Sequence, residues 1–317
     1  MAEEFVYGNT PCFLNGKKIH DKKELNEVDA VVYGVPWEGG VTWGNYTSCE
    51  MGPKSMRLAS GRYSGFLPEL DAVDVFEHIK LGDLGDIMIN WNSPEETMDH
   101  ITSFTRKNIW SNLSVFPIGL GGDHSITYPI IKGLVEEQGK KVGIIHLDAH
   151  YDNAKTFGDD KYARNTPFAR LYELDGVRNE SLIHTGIHGP RNKPESGKFA
   201  NEAGAVTITV RDIRECSDIY KMADEIYQKA SQDVDVVYLS ICSDILDFAF
   251  NPGGPPDANG LTSYELLTLV HEFGKKGIIG MDFVEVYPET DLNQFSAHLA
   301  STIVLYALAG VVKNQQG

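Results

Sequence analysis

Three residues that can hold a cation stand at alternate positions: Asp148, His150 and Asp152. The run before them, Val142-Gly143-Ile144-Ile145-His146-Leu147, is apolar enough to be a buried strand. Side chains on a strand alternate faces, so positions two apart project together. If that geometry continues past the strand end, a carboxylate, an imidazole and a second carboxylate converge on one point. A hard or borderline divalent ion takes that set of donors.

Three further segments add candidates. Gly121-Gly122-Asp123-His124-Ser125 follows the apolar run 115–120, and its two glycines let the backbone turn and present His124. Ser240-Ile241-Cys242-Ser243-Asp244-Ile245-Leu246-Asp247 follows another run, with Cys242 and Asp244 two apart and expected on one face. Gly280-Met281-Asp282-Phe283-Val284-Glu285 ends a third and offers Glu285. Buried carboxylates need compensation, so several such clusters at strand ends point to a shared metal site.

The elements that must position these groups follow from periodicity. Short apolar runs at 29–35, 115–120, 142–148, 182–187, 206–210, 236–241 and 278–283 read as strands covered on both faces. Helical patterns at 95–109, 125–137, 217–230, 263–273 and 295–312 alternate with them, and Thr262 or Ser263 can cap the fourth. Strand–helix alternation implies an α/β fold with a mainly parallel sheet. No linker, repeat or low-complexity tract divides residues 1–317, so one domain is expected. Gly253-Gly254-Pro255-Pro256 is the strongest loop signal, and it follows a strand end, where open α/β sheets place their sites.

The formal charge of −17 leaves no basic stripe for nucleic acid and suits a small cationic ligand. Four cysteines without CxxC spacing, no apolar signal core after Met1, and no apolar run of the ~18 residues a membrane span needs suggest a soluble protein of a reducing cytoplasm.

Gly-Gly-Asp-His-Ser, Asp-Ala-His-Tyr-Asp and the Ser240–Asp247 segment together resemble the three signatures of the ureohydrolase family, which includes arginase and agmatinase. Gly34-Val35-Pro36-Trp37, the segment 52–57, Asp83-Leu84-Gly85-Asp86, Gly260-Leu261-Thr262 and the segment 282–286 extend the resemblance over residues 29–310. It implies a three-layer α/β/α sandwich and a dinuclear centre of manganese or, in some guanidine-cleaving members, nickel. By motif match His124, Asp148 and Asp152 hold one ion, and Asp148, His150 and Asp244 hold the other. Asp152 belongs with the catalytic residues, and Glu285 pairs with the cationic nitrogens of a guanidine-like substrate. Arg164, Asn165 and His188 fall on segments expected near that substrate. Members assemble as trimers or hexamers.

This chain departs from the pattern where the chemistry lies. Cys242 stands where the family has an Asp that bridges both ions. A thiolate there is softer and favours nickel or zinc, whereas a neutral thiol supplies little charge. Arg164 stands in Arg164-Asn165-Thr166-Pro167-Phe168 where members often carry a histidine thought to move protons, and a guanidinium does not titrate near neutrality. Gly186-Ile187-His188-Gly189 replaces a Gly-Ile-Arg-Gly run, Phe248 replaces a proline, and the segment 45–51 lacks an arginine.

Three readings follow. In the first, the chain is a subunit with an impaired centre that assembles with an active paralogue on a guanidine or biguanide, as in the metformin-hydrolase-like branch. In the second, it is a self-sufficient amidinohydrolase tolerant of nickel or zinc. In the third, it binds a cationic ligand through Glu285 and Asp282 without catalysis. Specificity is expected in loops 43–51, 154–164 and 252–259, with Trp37, Trp43 and Tyr46 as an apolar wall or as ordinary loop packing.

Overall fold

The computed structural model describes residues 5–39 and 46–316. The expected positions Trp43 and Asn45 lie outside the described residues. The strands are β1 (Lys17–Lys18), β2 (Ala30–Val35), β3 (Phe66–Leu67), β4 (Val73–Asp74), β5 (Leu81–Asp86), β6 (Phe116–Gly121), β7 (Val142–Leu147), β8 (Val177–Ile187), β9 (Val206–Thr209), β10 (Val236–Cys242) and β11 (Met281–Val284). Nine of them form one sheet in the order β1-β5-β2-β6-β11-β10-β7-β8-β9, parallel throughout; β3 and β4 make a small antiparallel pair.

The helices are α1 (Gly52–Ser60), α2 (Pro94–Phe104), α3 (Thr127–Gln138), α4 (Pro167–Tyr172), α5 (Pro194–Ala203), α6 (Val210–Glu215), α7 (Ile219–Ala230), α8 (Ser263–Lys276) and α9 (Phe295–Gln316). The sheet has a separate core on each face. Ala30, Val32, Ile145, Leu147, Leu239 and Ile241 pack with α1 and α6 to α9 on one side. Val31, Tyr33, Ile144, Tyr238 and Cys242 pack with α2 to α5 on the other. Alternate residues of the same strands feed opposite cores, so each run is mostly apolar and buried on both sides, the signature of a parallel sheet covered on both faces. The architecture is the expected three-layer α/β/α fold.

Every expected strand and helix is present with ends shifted by a few residues. Thr262 is the N-cap of α8, in a reciprocal capping box with Glu265. Elements with weak apolar signal were missed: β1 is two lysines, β5 reads Leu-Gly-Asp-Leu-Gly-Asp, and α1, α4, α5 and α6 are short. One expectation needs correcting. The C-terminal helix is long and apolar enough to cross a membrane by length and composition. In the fold it is a core helix, with Ala300, Ile303, Val304, Ala307 and Leu308 fully buried. It runs against α8 so closely that a Cβ on Gly310 would collide with the His271 carbonyl.

Candidate metal centre

Strands β6, β11, β10 and β7 are neighbours at the middle of the sheet, and their carboxyl ends carry the candidate metal-holding groups and Glu285. His124 follows β6, Glu285 follows β11, Cys242 ends β10, and Asp148 to Asp152 follow β7.

The convergence does not come from strand alternation. β7 stops at Leu147, and Asp148 Oδ1 accepts the amide of His150 at 2.5 Å. That turn curls the chain and brings His150 over Asp148. Asp152 then takes φ 41°, in the left-handed region. Asp244 likewise lies beyond its strand, in the 3-10 turn Ser243–Ile245, where Asp244 Oδ1 accepts the amide of Ala149 at 3.1 Å. Glu285 has φ 65°. A non-glycine residue held there costs on the order of 1–3 kcal/mol, which the surrounding bonds must offset.

Two triads share Asp148. Ligand atoms of His124, Asp148 and Cys242 lie within 4.8 Å of one another, as do those of Asp148, His150 and Asp244. His124 Nδ1 is 2.9 Å from Asp148 Oδ2 and 3.1 Å from Asp152 Oδ2, yet among the described residues it has no aligned hydrogen-bond partner. A buried imidazole nitrogen close to two carboxylates but bonded to neither has the geometry of donors facing a common ion. His150 Nδ1 is 3.0 Å from Asp244 Oδ2 and 3.4 Å from Asp148 Oδ1. This donor set suits a pair of divalent cations with Asp148 between them.

Burial opposes charge on His124, but Asp148 and Asp152 push its pKa well above the ordinary value. Burial also opposes charge on His150, and Asp244 and Asp148 together raise it to about 11. Burial and Asp148 lift Asp152 to about 6, and the same two causes raise Asp244. Burial raises the Cys242 thiol well above its usual value, reinforced by Asp148, Asp244, Glu285 and Asp152. These directions favour protonated groups in the metal-free cluster, and an entering cation would displace those protons.

Groups behind the ligands fix their orientation. His124 Nε2 lies 3.0 Å from Ser240 Oγ, and Ser240 donates to Asp282 Oδ1 at 2.8 Å. Asp282, fully buried, also accepts from Tyr238 at 3.0 Å and Thr127 at 3.1 Å. Its acceptors are thus committed to the fold, away from any cleft ligand. On the other side His146 Nε2 is 3.0 Å from Asp148 Oδ2, His146 Nδ1 is 2.8 Å from His184 Nδ1, and His184 Nε2 is 2.6 Å from Tyr172 Oη. An ionised carboxylate only accepts, so His146 donates from Nε2, His184 from Nδ1 and Tyr172 from its hydroxyl. Burial lowers His146 to about 4 and His184 well below its ordinary value, so the pair is neutral, as this direction requires.

A cavity of about 320 Å³ opens over the cluster, lined by His150, Asp152, Asn165, Cys242, Asp244 and Glu285, with Arg164, Arg191 and Tyr287 in the same wall. Arg191 is paired with Asp257, whose Oδ2 lies 3.4 Å from His150 Nε2. Arg164 is 4% exposed and bonds Glu285 Oε2 at 3.1 Å, Tyr287 Oη at 2.9 Å and Glu38 Oε1 at 2.9 Å. Glu285 Oε1 accepts the His124 amide at 2.8 Å. Burial and Asp123 raise Glu285 to about 7 against the lowering effect of Arg164.

His188 is not in this cavity. Its ring Nδ1 donates to the Gly186 carbonyl at 2.7 Å, and it lines a neighbouring shallow depression with Tyr151 and Lys193. Trp37 is core and Tyr46 is 60% exposed, so of the two readings the apolar wall is not seen for this pair. The residues the sequence did not single out here are His146, His184, Tyr172, Ser240, Glu38 and Tyr287. Only His146, two before Asp148, and Ser240, at the head of the Ser240–Asp247 segment, carried any signal.

The model of the arginase family matches residues 28–310. A guanidinopropionase of Pseudomonas aeruginosa is 31% identical over 97% of this chain and 93% of its own. The solved proclavaminate amidinohydrolase of Streptomyces clavuligerus superposes with a TM-score of 0.85 at 27% identity, over 97% of this chain and 99% of its own. A Trypanosoma cruzi formiminoglutamase, solved with Mn2+, gives a TM-score of 0.83 over 96% of this chain and 99% of its own; at 20% identity it speaks to the fold alone. The chain belongs to the arginase family, the amidinohydrolases also called ureohydrolases.

Proposed function

We propose that this chain is a subunit of a metal-dependent amidinohydrolase acting on a guanidine- or biguanide-type compound, with its own centre weakened by Cys242 and Arg164. The observation that carries the reading is the pair of ligand triads sharing Asp148, with Cys242 seated in one of them. His124, Asp148 and Asp152 would hold one divalent ion, and Asp148, His150 and Asp244 the other. Bound there, manganese or nickel supplies Lewis acidity toward water and the substrate carbon–nitrogen unit.

The chain's own residues do the rest. Ser240 and Asp282 keep the His124 ring turned toward the cluster, and the neutral His146–His184 pair keeps Asp148 an acceptor. Glu285, fixed by the His124 amide, faces the cavity as the carboxylate for a cationic nitrogen. Asp152, with Oδ2 3.1 Å from His124 Nδ1, would stand among the catalytic residues beside that ion. Cys242 places a neutral thiol where a bridging carboxylate would offset repulsion between two dications. A paralogous subunit with an intact centre would then supply most of the turnover in a mixed trimer or hexamer.

The test is to purify the chain alone and co-expressed with its nearest paralogue, then measure bound metal per chain and release of urea or guanylurea. Turnover only in the mixed assembly is expected. Full turnover with two ions in the isolated chain would favour a self-sufficient enzyme. Absence of both metal and turnover in both preparations would leave a cation-binding protein.

A further inference from the structure

Arg164 is a guanidinium in the company that a guanidinium ligand would seek. One nitrogen, Nη1, bonds Glu285 at 3.1 Å and Tyr287 Oη at 2.9 Å; the other, Nη2, bonds Glu38 at 2.9 Å. The Tyr287 hydroxyl donates to the same Glu285 oxygen at 2.6 Å, and the Tyr287 ring centre lies 5.8 Å from the Arg164 Cζ. The group is desolvated, clamped between two buried carboxylates and set against an aromatic ring, and it shares a cavity wall with Cys242 and Asp244. Planar groups with a fixed fork of donors are recognised in this way.

We propose that Arg164 is a built-in guanidinium that fills this chain's own guanidinium seat, making it the residue that decides which ligands the cleft refuses. Both carboxylates able to meet a cationic fork, Glu285 and Glu38, are already neutralised from within. An entering guanidinium finds no uncompensated charge there and must displace a side chain tethered to the backbone, whose effective concentration is high. The closed seat rests on the reading of Glu285 as the carboxylate for cationic nitrogen. It is independent of whether metal binds.

An ordinary structural ion pair and a filled seat differ in one respect. Removing the side chain from a seat leaves a site that free guanidinium refills. The experiment compares the wild-type chain, Arg164→Ala, and Arg164→Ala combined with Glu285→Gln, with EDTA present and at constant ionic strength. Guanidinium chloride at low millimolar concentration is the probe, with sodium chloride and urea as controls, read by calorimetric titration and thermal unfolding. Arg164→Ala should bind guanidinium saturably and at least about tenfold more tightly than wild type. The double variant should lose that binding.

If Arg164→Ala does not fold by itself, because two buried carboxylates are left unpaired, guanidinium present during refolding should restore it where sodium does not. A folded Arg164→Ala chain that binds guanidinium no better than wild type overturns the proposal. So does equal rescue by sodium, or saturable, Glu285-dependent binding to the wild-type chain. Because no metal or turnover enters the measurement, its failure is separable from failure of the amidinohydrolase reading.

Discussion

His146 and His184 meet nitrogen to nitrogen, Nδ1 to Nδ1 at 2.8 Å, in a fully buried layer behind Asp148. Two imidazolium rings cannot share that contact, and one ring must donate while the other accepts. The pair transmits a fixed hydrogen-bond direction from Tyr172 to Asp148, and so sets which lone pairs Asp148 presents to the cluster.

Replacing His184 by Leu removes the donor to His146 and leaves a buried acceptor without a partner. The expected cost is about 1–3 kcal/mol of stability and a drop of about 10- to 100-fold in metal affinity. Urea unfolding and a metal titration check it. Unchanged affinity in a folded variant would show that this layer does not orient the cluster.

Cys242→Asp should raise the metal bound per chain, most of all for manganese, because it adds a hard, shared charge between two sites for dications. Elemental analysis of dialysed protein reads the change. No gain in manganese would contradict the role given to the thiol. Turnover need not return, since Arg164 still holds Glu285.

Arg57 is fully buried and bonds Asp83 through Nε and Nη2, both at 2.9 Å, and Asp86 through Nη1 at 2.5 Å. It ties α1 to β5 beneath the sheet's edge. Arg57→Leu strands two carboxylates and should cost about 3–5 kcal/mol, seen as a lower urea midpoint at unchanged slope. A loss under about 1 kcal/mol would mean that water reaches the pair.

Glu50 keeps its proton to higher pH than a free glutamate: burial and its pairing with Glu38 raise it from 4.5 to about 7. The folded state therefore binds this proton more tightly than the unfolded chain. Its contribution to stability is complete below pH 4.5, declines as pH rises, and is gone above about 7. Glu50→Gln keeps a donor for Glu38 without the titration. Unfolding free energies at about pH 5 and about pH 8 should differ less in the variant than in the wild type. Equal differences would assign the slope to other groups.

Much of this was legible in the linear chain. The near-continuous burial of β2, β7 and β10 follows from runs that are mostly apolar, with His146 and Ser240 as polar exceptions, since a parallel sheet covered on both faces exposes neither side. The Asp148, His150, Asp152 spacing and the His124, Cys242 and Asp244 motifs located the cluster, because metal donors at strand ends are chemically conspicuous. What failed was the mechanism of convergence: strand alternation stops at Leu147 and Cys242, and side-chain-to-backbone bonds at Asp148 and Asp244 bend the turns. Such turns depend on local bonding that periodicity does not encode.

The chain by itself determined the strongly apolar strands and longer helices, the residue types of the cluster and the two departures, Cys242 and Arg164, because these depend on residue identity and short-range spacing. Only the tertiary structure decided what those residues meet. Arg164 lies 121 positions from Glu285 and 126 from Glu38, and His184 lies 38 from His146. Which buried charge finds which partner is settled by the packing of loops from separate strands, where desolvation makes an unpaired group too costly to leave alone.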